Sequence, residues 1–171
     1  MSKGKQAKVY FIGAGPGDPE LMTVKGQRLI READLVLYAG SLVPRAVVAC
    51  AKKGAKVADS SSMTLDQTHA LLMETVRRGG TTARVHTGDP SLYGAIREQI
   101  LLLERDGVEY EVVPGVSVAF AAAARAGISF TLPEITQTLI LTRIEGKTPV
   151  PEKEHLKKLS AHGCSIAIYL S

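Results

Sequence analysis

The sequence has few of the residues that would mark a secreted, metal-binding or membrane-embedded protein. Its two cysteines, Cys50 and Cys164, belong to no CxxC pair, which argues against a zinc ribbon, a redox dithiol and a disulfide framework and favours a reducing, cytoplasmic setting. The longest apolar run, residues 116–124, is too short to span a bilayer. Residues 1–6 are charged and lack the hydrophobic region of a signal peptide, so secretion is not expected.

Aromatic residues and familiar catalytic signatures are also scarce. Tryptophan is absent and the basic residues are dispersed, so the sequence does not predict a nucleic-acid surface with stacking side chains. It contains no GxSxG, no HExxH and no clustered Cys/His set, which argues against hydrolytic and metal chemistry. The net charge of +4, from 21 basic and 17 acidic residues, fits either simple solubility or an anionic ligand.

Short apolar segments instead alternate with amphipathic ones. Buried strands are predicted at residues 8–12, 34–38, 55–58, 82–86 and 110–113. Helices are predicted over residues 22–33 and 44–51, from Thr64 to residue 78, and over residues 95–105. The third helix begins with a capping box of Thr64 and Gln67, and its inner stripe is predicted to be Leu65, Thr68, Leu72 and Val76. The pattern predicts an α/β fold with a mostly parallel five-stranded sheet and helices on both faces.

A Pro-Gly pair at residues 114 and 115 predicts a domain boundary. The first domain is expected over residues 1–114, and a second α/β domain is expected to begin over residues 115–171. In that second part the sequence predicts helices and strands in alternation, at residues 117–126, 136–142, 152–161 and 165–170. Two strands alone would leave sheet edges and one sheet face uncovered, so we expect a truncated or unusually short version of a two-domain protein.

Three loops rich in glycine and proline follow the first, fourth and fifth predicted strands. They are the first loop (residues 13–19, GAGPGDP), the second loop (residues 86–94, HTGDPSLYG) and the third loop (residues 113–117, VPGVS). The carboxyl ends of parallel strands lie at one sheet edge, where open α/β sheets bind ligands. The three loops together therefore predict a small-molecule cleft. They offer backbone rather than an obvious acid, base or nucleophile, which suits a reaction driven by placing two ligands together.

Each loop also has an interpretation that involves no ligand. The first loop fits neither a Rossmann fingerprint, which needs a small residue in place of Asp18, nor a Walker loop, and it can be a simple turn. In the second loop, Asp89 and Pro90 can be the N-cap and first residue of a helix. His86 is interpreted as a buried histidine rather than a base. Ser117 can cap the helix that follows the third loop.

The three loops, in this order, resemble the tetrapyrrole methylase family of class III S-adenosylmethionine-dependent methyltransferases. Residues 13–23 match the family's GxGPGDPxLxT loop, residues 88–90 its GDP loop, and residues 114–117 its PG[VI][ST] element. Three longer segments are similar to the branch that methylates C11 of precorrin-4 or cobalt-precorrin-4 in cobalamin biosynthesis: residues 38–44, 86–96 and 141–149. The resemblance covers essentially the whole chain.

The resemblance implies a cytoplasmic, two-domain homodimer that binds S-adenosylmethionine between its domains, methylates a tetrapyrrole and releases S-adenosylhomocysteine, with no metal, nucleic acid or membrane involved. By position, the implied cofactor contacts are Pro16, Thr87, Gly88, Asp89, Leu92, Ser117, Val118 and Leu170. The implied substrate-side residues are Gly15, Gly17 and Asp18, with Arg45, Arg97 and Arg143 as partners for the substrate's carboxylates. Each arginine can equally be a solvated surface residue, and no catalytic residue is assigned.

Further contacts of the family are expected beyond Ser171. Two other functions stay open at this point. The same fold can methylate another substrate, such as a different tetrapyrrole carbon, ribosomal RNA or diphthine. Alternatively, the chain is a non-catalytic, truncated binding module.

Overall fold

Residues 9–113 build one parallel sheet. The computed structural model describes residues 7–146 and 148–170, so the expectation about residues 1–6 lies outside the described residues. The sheet order is β3-β2-β4-β1-β5, and every pairing is parallel. Its strands are β1 (Val9–Gly13), β2 (Leu35–Tyr38), β3 (Lys56–Asp59), β4 (Thr82–His86) and β5 (Tyr110–Val113). The predicted five-stranded α/β sheet is confirmed.

The connections between these strands place helices on both faces of the sheet. The helices are α1 (Val24–Glu32), α2 (Arg45–Val48), α3 (Leu65–Arg77) and α4 (Ile96–Arg105), with a 3-10 turn at Pro19–Leu21. From β1 to β3 the chain moves toward one edge of the sheet, and from β3 to β5 it moves toward the other. Because parallel crossovers are right-handed, α1 and α2 fall on one face, and α3 and α4 on the opposite face.

Each face of the sheet has its own apolar core. Ile12 packs with Ile30 of α1 on one face. Its neighbour Phe11 packs with Leu37 and with Leu72 of α3 on the other. Successive strand residues point to opposite faces, which explains how the continuous apolar run of β1 serves both cores. Full burial of one such side chain contributes about 2 kcal/mol.

Helix α3 confirms one local prediction and corrects another. The Gln67 N–H donates to Thr64 Oγ1 at 3.2 Å, and the Thr64 N–H donates to Gln67 Oε1 at 2.9 Å, so the capping box is present. Leu65, assigned to the inner stripe, is 41% exposed, whereas Met73 is buried. Leu65 is the first residue of the helix, so it lies at the end of the buried stripe rather than within it.

The later elements of the chain are shorter than predicted. A second compact unit, Ala119–Ser171, follows a first unit, Met1–Val118. The remaining elements are α5 (Val118–Ala126), β6 (Leu139–Arg143), a 3-10 turn at Glu152–Glu154, α6 (Leu156–Ser160) and β7 (Ser165–Tyr169). The helix predicted over residues 152–161 is split because the His155 backbone is extended, with φ −58° and ψ 136°. The domain boundary after residue 114 stays a prediction.

Strands β6 and β7 are parallel and, within the described residues, pair with no other strand. No helix formed by residues 7–146 and 148–170 is both long enough and apolar enough to cross a membrane.

Candidate functional site

The three loops meet at the carboxyl edge of the five-stranded sheet. Strands β1 and β4 are neighbours, and Gly13 pairs in register with His86 where they end. The first and second loops then exchange two backbone hydrogen bonds. The Gly88 N–H donates to Gly15 O at 2.8 Å, and the Gly15 N–H donates to Gly88 O at 3.2 Å. Since β1 also pairs with β5, the third loop reaches the same edge, and the predicted convergence is confirmed.

Glycine is needed at this meeting point because the loops approach at backbone distance. A Cβ added to Gly13 would lie 2.5 Å from Gly115 Cα and 2.6 Å from Gly88 O. A Cβ added to Gly115 would lie 2.7 Å from Gly13 Cα. Any side chain at either position would therefore push two loops apart.

The Asp89 carboxylate ties the second loop to the third. Its Oδ2 accepts the Gly115 N–H at 2.9 Å, and its Oδ1 accepts the Ser91 N–H at 2.8 Å. The alternative in which Asp89 is the N-cap of the following helix is wrong. Helix α4 has Ala95 as its N-cap, because residues 90–93 form a turn before the helix begins.

The edge where β1 and β4 end is a topological switch point. The chain leaves β1 toward β2 and leaves β4 toward β5, so the two connections run in opposite directions over opposite faces of the sheet. Ligands of open α/β sheets bind in the crevice beside strands whose connections pass to opposite faces. At Gly88, φ is 59°, and the nearest heavy atom to an added Cβ is Ser117 Cα at 4.0 Å. The side of Gly88 toward which a Cβ would project is therefore free of close neighbours, and a ligand can approach the second loop there.

Most residues implied as cofactor contacts lie in or directly after the three loops. Thr87 and Val118 are exposed, and the half-buried ones are Pro16, Gly88, Asp89, Leu92 and Ser117. Leu170 belongs to the second unit, where it follows β7 and is 66% exposed. The structure thus brings together the loops of the first unit, while the roles of the individual residues stay predictions.

The residues implied as substrate contacts in the first loop have distinct surroundings. Gly15 is buried with φ 69°, and a Cβ there would meet Leu21 O at 2.9 Å. A Cβ on Gly17 would contact Pro44 Cγ at 3.3 Å, so the first loop lies against the segment of residues 38–44. Asp18 is exposed, and its Oδ1 accepts the Glu20 N–H at 2.9 Å. The Asp18 side chain therefore has a local role at the start of the 3-10 turn.

The three arginines implied for the substrate's carboxylates lie on three separate elements. Arg45 begins α2 directly after Pro44, Arg97 lies in the first turn of α4, and both are exposed. Arg143 ends β6 in the second unit, and its guanidinium donates to three carbonyl oxygens of its own loop at 2.9–3.3 Å. Arg143 thus organises that loop, and its role toward a substrate stays a prediction.

The structure adds Asp59, which the sequence analysis did not single out. Its Oδ1 accepts the Gly40 N–H at 2.9 Å and the Ser61 N–H at 2.8 Å. These two hydrogen bonds hold the pKa of the Asp59 carboxyl below its usual value. A Cβ on Gly40 would overlap the same carboxylate. Asp59 therefore fixes the segment of residues 38–44. The sequence signal that could have identified it is its position as an acidic residue at the end of β3, the strand next to β2.

Strand β4 carries two buried ionisable side chains beneath the second loop. His86 is buried as predicted, and burial together with the nearby Arg84 lowers its pKa to about 3, so the imidazole is neutral at pH 7. The Arg84 Nε donates to Gln99 Oε1 at 3.0 Å, and its Nη1 donates to Leu37 O at 3.3 Å. Within the described part of the chain, no group of three His, Cys, Asp or Glu residues could hold a metal ion.

Comparison with known proteins agrees with the loop motifs. The family model of tetrapyrrole (corrin/porphyrin) methylases matches residues 8–171. The chain is 54% identical to cobalt-precorrin-4 C(11)-methyltransferase of Priestia megaterium over 164 residues, 96% of this chain and 64% of that protein. The chain therefore spans less than two thirds of that relative's length. It belongs to the tetrapyrrole methylase family.

Solved structures agree with the fold. The X-ray structure of the cobalamin biosynthetic enzyme cobalt precorrin-4 methyltransferase, CbiF, matches all of this chain and 72% of its own, with a TM-score of 0.95 and 52% identity. A uroporphyrin-III C-methyl transferase from Thermus thermophilus, complexed with S-adenyl homocysteine, matches 86% of this chain and 60% of its own. Its TM-score is 0.68 and its identity is 35%.

Proposed function

We propose that the protein transfers a methyl group from S-adenosylmethionine to C11 of precorrin-4 or cobalt-precorrin-4, a step in corrin-ring synthesis for cobalamin. The observation that carries this proposal is the meeting of three loops with tetrapyrrole methylase motifs at one switch point of the sheet. The similarity to a cobalt-precorrin-4 C(11)-methyltransferase supports the choice of substrate.

The carboxyl edge fits S-adenosylmethionine as a cofactor. The space toward which a Cβ on Gly88 would project holds no atom closer than 4.0 Å, and the Thermus relative is complexed with the demethylated product of this cofactor. We propose contacts from Pro16, Thr87, Gly88, Asp89, Leu92, Ser117 and Val118, while Leu170 of the second unit stays a prediction. When bound, the cofactor's sulfonium supplies an electrophilic methyl group.

The protein's part in the reaction is to position the reactants and exclude water. Asp89 locks the second loop to the third, and the close packing of Gly13 against Gly115 leaves these loops little freedom. A rigid site of this kind holds the nucleophilic carbon and the methyl group about 3–3.5 Å apart, and such positioning contributes on the order of 7–11 kcal/mol at best. This contribution needs no strong base.

We propose that the first loop and its neighbours face the tetrapyrrole. Gly15, Gly17 and Asp18 are the substrate-side residues of that loop. The approach of Gly17 to Pro44 supports a role for Arg45, because Arg45 is the next residue along the chain. A guanidinium there suits the substrate's carboxylates, since it binds a carboxylate through two parallel hydrogen bonds. Arg97 and Arg143 stay predictions for the same task.

Labelled methyl transfer tests the reaction. The protein, expressed from its complete reading frame, is mixed with S-adenosylmethionine carrying a ¹³C-methyl group and with precorrin-4, cobalt-precorrin-4 or uroporphyrinogen III. We expect label at C11 of one of the first two substrates, located by NMR. Label only in uroporphyrinogen III would assign the enzyme to another ring carbon, and no labelled product would reject a methyltransferase.

Binding of S-adenosylhomocysteine tests the cofactor assignment separately. Asp89→Ala removes the acceptor for two loop amides and should weaken binding by about tenfold or more. Asp66→Ala, at an exposed acid in the first turn of α3, is the matched control and should bind normally. Equal affinities in the two variants would reduce the second loop to a structural turn.

We further propose a cytoplasmic homodimer. The free thiols of Cys50 and Cys164 suit a reducing compartment, and the dimer rests on the family resemblance. Analytical ultracentrifugation of the protein should give twice the chain mass. A monomer at micromolar concentration would contradict the proposal.

A further inference from the structure

The backbone is strained at the far end of the second loop and at Ala95, the residue that directly follows it. Tyr93 and Ala95 have φ values of 55° and 46°, a region that residues with a Cβ rarely adopt. Gly94 between them is tightly placed, because an added Cβ would lie 2.9 Å from Pro90 C. Ala95 is the N-cap of α4 and has no side-chain cap hydrogen bond. Such a conformation persists only where the surrounding structure enforces it.

Gln99, one turn into α4, contacts this strained segment directly. Its Nε2 donates to Ala95 O at 3.1 Å, while its Oε1 accepts Arg84 Nε at 3.0 Å. A guanidinium can only donate and a carbonyl oxygen can only accept, so these two partners fix which way the amide points. Gln99 is 6% and Arg84 7% exposed, so water is a poor substitute for either hydrogen bond.

Arg84 connects the Gln99 amide to the sheet. Its Nη1 donates to Leu37 O at 3.3 Å, which joins β4 to the neighbouring β2. Burial lowers the pKa of the guanidinium to about 10. Burying a cation among neutral acceptors costs desolvation free energy, and replacing buried charged groups with apolar residues of similar volume is often neutral or stabilising. Packing alone therefore does not account for an arginine at this position.

The Arg84–Gln99 pair and Asp89 act on the same loop. Asp89 ties the loop to Gly115, and Gln99 contacts Ala95, which directly follows the far end of the loop. We propose that Gln99, oriented by Arg84, is a positioning residue that keeps the second loop in its cofactor-binding conformation. This inference rests on the proposed function, which assigns the loop to the cofactor.

The sharpest test is Gln99→Glu in the protein expressed from its complete reading frame. The carboxylate can still accept from Arg84 and gains an ion pair with it, so thermal stability should be equal or higher. This carboxylate cannot donate to Ala95 O and repels that oxygen. Because the proposal makes this contact hold the second loop, affinity for S-adenosylhomocysteine should fall about tenfold. The adjacent Glu98→Gln makes the reverse change at an exposed position and should leave both quantities unchanged.

Wild-type affinity in a folded Gln99→Glu variant would overturn the proposal. If that variant does not fold, the double variant Arg84→Met/Gln99→Met replaces both polar groups with apolar ones of similar length. It should fold and also bind about tenfold more weakly, and normal binding by it would likewise overturn the proposal.

Hydrogen exchange separates this inference from the proposed function, since it requires no ligand. The Leu92 amide, which donates to Asp89 O at 3.2 Å, should exchange at least tenfold faster in Gln99→Glu than in the wild type, and the amides of β4 should not change. If the wild-type protein does not bind S-adenosylhomocysteine, the proposed function fails, and this exchange rate still decides whether Gln99 holds the loop. Unchanged exchange would refute the positioning role.

Discussion

The five-stranded sheet and the second unit contain the same kinds of elements but bury them very differently. In β1 and β2, Phe11, Leu35 and Leu37 are completely buried. Among the described residues of the second unit, the buried ones are only Ala119, Ala123 and Thr142. Apolar strand residues there stay partly open, with Leu141 36% and Ile168 42% exposed.

The difference follows from how each sheet is covered. Helices lie on both faces of the five-stranded sheet, whereas β6 and β7 form a sheet of two strands. A sheet of two strands is at best marginally stable when it is not packed against other elements. The three loops of the candidate site extend from the well-buried sheet, so their positions depend on its rigid core.

The largest expected difference between the units concerns glycine. Gly115→Ala would force the third loop away from Gly13 and Gly88, so the free energy of unfolding should fall by about 4–5 kcal/mol. Gly146→Ala, in the second unit, has no neighbour within 4 Å and should change it by less than about 0.5 kcal/mol. Urea denaturation of both variants measures the two values. Similar losses would mean that the loops are not packed at backbone distance.

The next largest difference concerns apolar side chains. Leu37→Ala should cost about 3 kcal/mol, because it leaves a cavity in a fully buried layer. Ile168→Ala, at a side chain 42% exposed, should cost about 1 kcal/mol or less. The same denaturation experiment compares them. Equal costs would show that the second unit is packed as tightly as the first.

A smaller effect is expected on the pH dependence of stability, and it comes from the buried His86 of the first unit. Its pKa of about 3 in the folded state lies below the ordinary value near 6.5, so protons bind preferentially to the unfolded chain as the pH falls. The stabilisation is present above about pH 6.5 and is lost as the pH falls toward 3. Between pH 7 and pH 5 it should decrease by about 2 kcal/mol.

His86→Gln cannot titrate and is the control for this pH series. We expect its loss of unfolding free energy between pH 7 and pH 5 to be about 2 kcal/mol smaller than that of the wild type. Parallel pH profiles for the two proteins would show that His86 is charged or solvated in the folded state.

The smallest effect concerns helix capping. Helix α3 begins with the Thr64 capping box, whereas α6 of the second unit has no side-chain cap hydrogen bond. Thr64→Ala should lower the free energy of unfolding by about 1 kcal/mol. Thr64→Ser keeps the hydroxyl acceptor and should lose much less. If thermal denaturation shows equal losses, the cap hydrogen bond does not stabilise the helix.

Short-range signals account for the part of the fold that the sequence predicts well. Strands β4 and β5 have the predicted bounds, and the capping box is formed as expected. The strand predicted from residue 136 begins only at Leu139. The reason is a turn in which Leu132 and Thr136 exchange backbone hydrogen bonds at 2.8 and 3.0 Å. Local hydrophobicity does not reveal such a turn.

The parts of the site that sequence reasoning missed depend on contacts between distant residues. Asp59 reaches Gly40 only because β3 lies next to β2, and the strand order was not predictable from local patterns. Arg84 lies within a fully buried strand, and its link to Gln99 requires the packing of α4 on β4. The loops could be identified by their composition, whereas the side chains that hold them required the structure.

NMR of glycine amides during titration with S-adenosylhomocysteine tests the central claim most directly. The protein, expressed from its complete reading frame, carries glycines at both edges of the sheet: Gly15, Gly88 and Gly115 follow strands, and Gly54 and Gly107 precede them. We expect the first three amides to shift with saturation while Gly54 and Gly107 do not. Shifts confined to Gly54 and Gly107, or none at saturating ligand, would contradict a cofactor site formed by the three loops.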